Sequence, residues 1–322
     1  MSAAPADLSA APVVARVTRS GFVESVHHGA VVVLDTDGTP VVELGDCHGQ
    51  IFPRSCNKPF QTVAMLRHGL DLQGELLALS CASHSGESFH RDGARRILAR
   101  AGLPESALQN TPDLPYGEEA RRAWLAEGRG PEPLAQNCSG KHAAMLATCV
   151  ASGWDTATYR DPAHPLQQAI AQTLTELTGE PVGAVGVDGC GAPVMATSLT
   201  GLARGFSRLA TAAEGTEQER VCAAIQAHPE WLGGTGRHVT GLIRAVPNLI
   251  AKDGAEAVYA AALGDGRAVA VKIADGGERA ARVLLVAALR RVGVDAPGLA
   301  ELGTELVQGH GEPVGTVEPE GF

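Results

Sequence analysis

Lysine is scarce in this chain. Only four of its 26 basic residues are lysines, at positions 58, 141, 252 and 272; the rest are arginine. Aromatic residues make up only 4%, too few for a base-stacking platform. Positive charge is also in deficit, with a net charge of −10 and a pI of about 5.6. A phosphate-binding surface, and with it a nucleic-acid partner, is not expected. No apolar run approaches the ~18 residues of a membrane span. Residues 1–7 lack the basic and apolar regions of a secretory signal, and residues 1–11 read as a short disordered tail. The seven cysteines, at 47, 56, 81, 138, 149, 190 and 222, are odd in number. With no secretory signal, that argues against a disulfide framework and predicts a cytoplasmic setting.

What is present is a core-forming composition: 322 residues, 44% hydrophobic and 19% charged, enough for about two domains or one two-lobed unit. Residues 13–17, 22–26 and 30–34 are β-branched runs that predict three strands, with 35–39 as a hairpin turn and 41–44 as the return. The middle of the chain is Ala- and Leu-rich with helical spacing. Segments from Pro59, Phe89, Lys141 and Pro165 each run to a glycine, and Glu217 to His228 adds another helix. The tail returns to strands, 257–263 and 268–273 around a Gly264–Arg267 turn, before a helix over 279–293. The expected fold is α+β and two-lobed. Residues 12–54 and 235–322 would build one discontinuous antiparallel sheet, and 55–234 a mainly helical lobe. A cleft between the lobes would suit a small-molecule site.

Five segments could carry chemistry. In Arg54-Ser55-Cys56-Asn57-Lys58-Pro59, a helix starting at Ser55 would put its hydroxyl and Lys58 on one face. A neutral Lys58 could then take the serine proton; the alternative is a helix cap beside a solvated lysine. Ser83, in Cys81-Ala82-Ser83-His84-Ser85-Gly86-Glu87, offers a second hydroxyl or belongs to a polar loop. Cys138, with Lys141 or His142, and Cys190 in a glycine-rich turn would make a three-ligand zinc site, or the cysteines are small buried hydrophobes. Lys272 lies in a strand pattern, either inward or at an exposed edge. Because arginine is the generic surface cation here, each lysine is a candidate for work that a permanently charged guanidinium cannot do.

Together these segments, with Asp188-Gly189-Cys190-Gly191-Ala192-Pro193 and Lys272-Ile273-Ala274-Asp275-Gly276-Gly277, resemble the class 3, thermolabile (rhizobial-type) L-asparaginases. The resemblance runs in order from about residue 14 to 292, and Gly234–Arg237 and Lys252–Glu256 also look familial. It implies a serine-β-lactamase-like fold shared with bacterial glutaminases, L-asparagine as substrate and a homodimer. It implies two Ser-Lys pairs, Ser55 with Lys58 and Ser83 with Lys272. It implies zinc held by Cys138, Lys141 and Cys190, with Lys141 taking the place ordinary zinc chemistry would give His142. Arg54, His142 and Asp188 would lie on the substrate side or behind the metal ligands. The alternatives are a β-lactamase or penicillin-binding hydrolase, which also use S-x-x-K, a glutaminase, and a non-catalytic zinc-binding protein.

Overall fold

A computed structural model describes residues 4–322. The N-terminal third opens with strands β1 (Val13–Arg19), β2 (Phe22–Leu34) and β3 (Pro40–Leu44) and the short β4 (Gln50–Ile51). A single 3-10 turn, Arg54–Asn57, leads into helices α1 (Lys58–Arg67), α2 (Gly74–Ser80), α3 (Ser88–Arg100), α4 (Glu118–Ala126), α5 (Ser139–Ser152) and α6 (Pro165–Thr178). Short strands β5 (Val185–Val187), β6 (Pro193–Met195) and β7 (Thr197–Ser198) precede α7 (Leu199–Ala210), α8 (Glu217–Ala227), α9 (Pro229–Leu232) and α10 (His238–Ala245). The chain ends with β8 (Leu249–Gly254), β9 (Val258–Leu263), β10 (Ala268–Ile273), α11 (Glu278–Arg291), α12 (Leu299–Leu302), β11 (Leu306–Gly309) and β12 (Glu312–Pro319).

One antiparallel sheet joins the two ends of the chain, in the order β11-β12-β1-β2-β10-β9-β8, with β3 also on β2. Strand β2 is the hinge of this order. Its first part pairs with β1, and its second part lies between β10 and β3, with Val33 opposite both Val269 and Val42. Val31, Val32 and Val33 are wholly buried, each side chain stabilising the fold by about 1.5–3 kcal/mol. Every residue of β9 and β10 is buried, and α7 and α11 both pack on these two strands, so both faces of the sheet are covered there. Phe60 of α1 meets Phe206 of α7 edge to face at 5.5 Å, which ties the helical lobe to the sheet.

Four expectations change. Strands expected separately at 22–26 and 30–34 are one strand, because Gly29 continues it. A Cβ on Gly29 would stand 2.4 Å from the Lys272 carbonyl, so the glycine permits close strand approach rather than a break. The helix read from Pro59 starts at Lys58, and Ser55, offered as a possible helix start, lies instead in the 3-10 turn, its carbonyl accepting from the Lys58 N–H. Helix α7, unmarked in the sequence reading, lies against the sheet. Residues 4–11, expected within a disordered tail, dock on the protein: the Ala6 N–H donates to the Gln50 carbonyl (2.9 Å), and the Gln50 N–H to Ala4 (2.9 Å). An added backbone ladder offsets the entropy of ordering this segment.

All seven cysteines are free and buried. Among the described residues, no helix is long and apolar enough to cross a membrane.

Candidate active site

Lys58 stands at the start of α1, and its side chain is almost wholly buried. Its Nζ lies 2.6 Å from the Ala82 carbonyl, 3.0 Å from Ser83 Oγ and 3.2 Å from Cys138 Sγ. Burial pushes the amine below the ordinary lysine range, although the Cys138 sulfur acts the other way. The hydroxyl bonded to Lys58 is therefore Ser83; no side-chain hydrogen bond joins Lys58 to Ser55.

The Ser83 segment follows α2 and is held by backbone bonds on both sides. The Ser83 and Ser85 N–H groups donate to Leu232 and Gly233, and the His84 N–H to Asn137. His84 is wholly buried. Its Nδ1 accepts from the Gly86 N–H at 3.1 Å, which leaves Nε2 to donate to Ser139 Oγ at 2.9 Å. This neutral imidazole fixes the turn that presents Ser83 and links it to the first residue of α5, next to Cys138.

Ser55 sits in its turn half-buried, behind a strained residue: Arg54 has φ +51°, a left-handed value unusual for a side chain of this size. Arg54 Nε donates to Asp188 Oδ1 at 2.7 Å, and its NH1 is 3.9 Å from Glu256 Oε1. Burial opposes the Asp188 carboxylate, but Lys141 and Arg54 outweigh it and keep its pKa below the usual range. Lys272, on β10, faces inward. Its Nζ donates to the carbonyls of Glu256 (2.7 Å) and Ile273 (2.6 Å), not to Ser83. Burial lowers its pKa while the Glu256 charge resists. Arg54, Glu256 and Lys272 border one cavity of about 540 Å³.

Lys141 and Cys190 meet at 3.2 Å, and Cys138 and Cys190 pack together with Ala192 in a small buried cluster. The neighbouring Cys138 sulfur, helped by the Lys141 charge, pushes the Cys190 thiol down, and the Cys190 sulfur together with burial pushes Cys138 up. Burial disfavours the Lys141 ammonium, yet the two sulfurs hold its pKa above the ordinary value. Two soft sulfurs, one readily a thiolate, with an adjacent amine fit the donor chemistry of zinc. Among the described residues, no three His, Cys, Asp or Glu gather for a metal. His142 Nδ1 instead bonds Tyr159 OH at 2.7 Å, and its buried Nε2 has no partner.

The sequence reading gave no role to Glu256, whose carbonyl holds Lys272, or to Lys252. Lys252 is fully buried, with Nζ on the Asp253 carbonyl (2.6 Å) and Oδ1 (2.8 Å). Lysine scarcity signalled Lys252; nothing local in the sequence signalled the carbonyl of Glu256.

The profile of the L-asparaginase II family matches residues 15–319. The chain belongs to the L-asparaginase II family. No curated protein matches the chain in sequence. Similar solved structures include Mglu in its native form, at 14% identity over 81% of this chain and 62% of that one (TM-score 0.44). A β-lactamase from Mycobacterium bovis is 14% identical over 83% of this chain and 95% of that one (TM-score 0.45). A Bacillus glutaminase is 12% identical over 82% of this chain and 90% of that one (TM-score 0.39). The chain spans about three fifths of the length of Mglu.

Proposed function

We propose that this chain hydrolyses the side-chain amide of L-asparagine to L-aspartate and ammonia by serine–lysine catalysis. The observation that carries the reading is the bond of Lys58, a desolvated amine three residues after Ser55, to Ser83. A neutral amine has two N–H groups and one lone pair. Ala82 and Cys138 can accept the two N–H groups and the Ser83 hydroxyl can donate to the lone pair, and burial favours this neutral form over an ammonium donating to all three. That is the protonation state a general base needs.

Ser55 is the more exposed hydroxyl and attacks the amide carbon. Its proton passes to Lys58 and, through Ser83, to the departing ammonia; water then hydrolyses the acyl-serine. Arg54, held by Asp188, offers a guanidinium for the substrate carboxylate. Lys272 lines the same cavity and assists proton transfer during deacylation. Zinc bound by Cys138, Lys141 and Cys190 would supply a fixed positive charge for orienting substrate. The homodimer and cytoplasmic setting implied by the resemblance remain part of this proposal.

The 3.0 Å contact favours a second reading in which Ser83 is the nucleophile. Acyl-enzyme trapped by rapid acid quench and mapped by peptide mass spectrometry separates the two. An aspartyl ester on the Ser55 peptide supports the first, and one on the Ser83 peptide the second. An absence of ammonia release from asparagine by the folded protein would overturn both.

A further inference from the structure

The cavity beside Arg54 and Lys272 is far larger than asparagine requires. At about 540 Å³ it is in the range that holds drug-sized ligands. Its polarity is divided. Arg54, Glu256 and Lys272 supply charge, whereas Pro5, Ala6 and Leu8 contribute apolar wall.

That wall is built into the fold. Pro5 forms a parallel bridge to Gln50, and the Asp7 N–H donates to Asp46 Oδ2 at 3.0 Å. The other Asp46 oxygen accepts from the Gly49 N–H at 2.8 Å, so one carboxylate clamps the segment and the turn beneath it. Gly49 makes the docking possible: a Cβ there would lie 2.3 Å from Ala6 Cα and 2.7 Å from the Ala6 nitrogen. Both are backbone atoms that cannot swing aside.

We infer that the segment Pro5–Leu8 is a specificity-determining wall of the substrate chamber. With it docked, the site takes β-aspartyl amides whose leaving amine carries an apolar group. This rests on the amidohydrolase reading above. The charged side holds the aspartyl portion, and the apolar wall covers the amine substituent. In the reaction, Ser55 Oγ bonds to the acyl carbon and the carbon–nitrogen bond breaks. The amine leaves with the proton that Ser55 released, and water then cleaves the ester to free aspartate.

The test compares asparagine with the β-anilide of aspartate on the full chain. Wild type should hydrolyse both. Gly49→Val undocks the segment and should raise the anilide KM by about tenfold, with anilide kcat and asparagine turnover held within about twofold. Leu8→Asp should lower the anilide-to-asparagine ratio of kcat/KM by about tenfold without requiring the segment to undock. Thermal melts verify that both variants fold. Asparagine turnover without anilide turnover overturns this inference alone. Equal changes for the two substrates in both variants also overturn it, because the segment would then be structural. No turnover of either substrate by wild type overturns the amidohydrolase reading and this inference with it.

Discussion

Lys58 Nζ lies 3.0 Å from Ser83 Oγ, whereas Lys272 Nζ is taken up by the carbonyls of Glu256 and Ile273. The two lysines therefore occupy different electrostatic positions. Lys58 is joined to a hydroxyl and a sulfur in a dry interior; Lys272 stands at the border of a cavity.

For Lys58, replacement by arginine should cut kcat by about 10²–10⁴-fold, because a guanidinium keeps the charge but cannot serve as base. Lys58→Met tests whether loss of packing alone explains the effect. Ammonia release is measured alongside circular dichroism. Substantial activity in the folded arginine variant would remove Lys58 from the proton path.

Lys272 predicts a pH dependence. Burial lowers its pKa, so its neutral fraction rises at a lower pH than that of a solvated lysine. If the neutral amine acts in deacylation, kcat should increase as pH rises toward the alkaline side. Lys272→Arg should abolish that limb. An unchanged profile in this variant would assign the limb to another group.

The Cys138, Lys141 and Cys190 cluster predicts about one zinc per chain in protein purified without chelator. Cys190→Ala should lose the metal, as read by elemental analysis. Chelation should weaken asparagine binding more than it slows turnover at saturation. Metal-free wild type from zinc-replete cells would leave both cysteines as buried thiols.

Stability should decline in mild acid. His84 and His90 are wholly buried and stacked at 4.9 Å. Burial pushes His84 well down and His90 to about 4. The unfolded histidines, near pKa ~6.5, bind more protons than the folded ones just below that value. Their contribution is therefore complete above pH ~6.5 and falls as pH drops toward the folded values, by up to ~1.4 kcal/mol per group per pH unit. Thermal melts from pH 7 to 5 should shift downward, and less steeply in His90→Gln. A flat Tm across this window would contradict the account.

The sheet was readable from the sequence because short apolar, valine-rich runs bounded by turn residues recur at both ends, as Val31–Val33 and Ala268–Ile273 show. Lysine scarcity marked all four buried amines, since arginine serves the surface. The pairing of serines with lysines was not readable. It depends on where the loop after α2 is pinned, through backbone bonds from Ser83 to Leu232 and from His84 to Asn137. Such bonds involve groups common to every residue and leave no mark in composition. The docking of Pro5–Leu8 was hidden for the same reason: small residues and backbone hydrogen bonds look like a tail until Gly49 lies beneath them.

The joining of β2 to β10 has a consequence for synthesis. The register that sets Val33 against Val269 joins segments separated by most of the chain. On the ribosome β2 emerges early, while β10 must wait for the helical middle to be translated, at roughly 5–20 residues per second. For that interval the long Phe22–Leu34 strand has an unpaired edge, a template for pairing with other nascent chains. Production of this protein should therefore depend on cotranslational chaperoning and on slower growth temperatures more than its folded stability suggests.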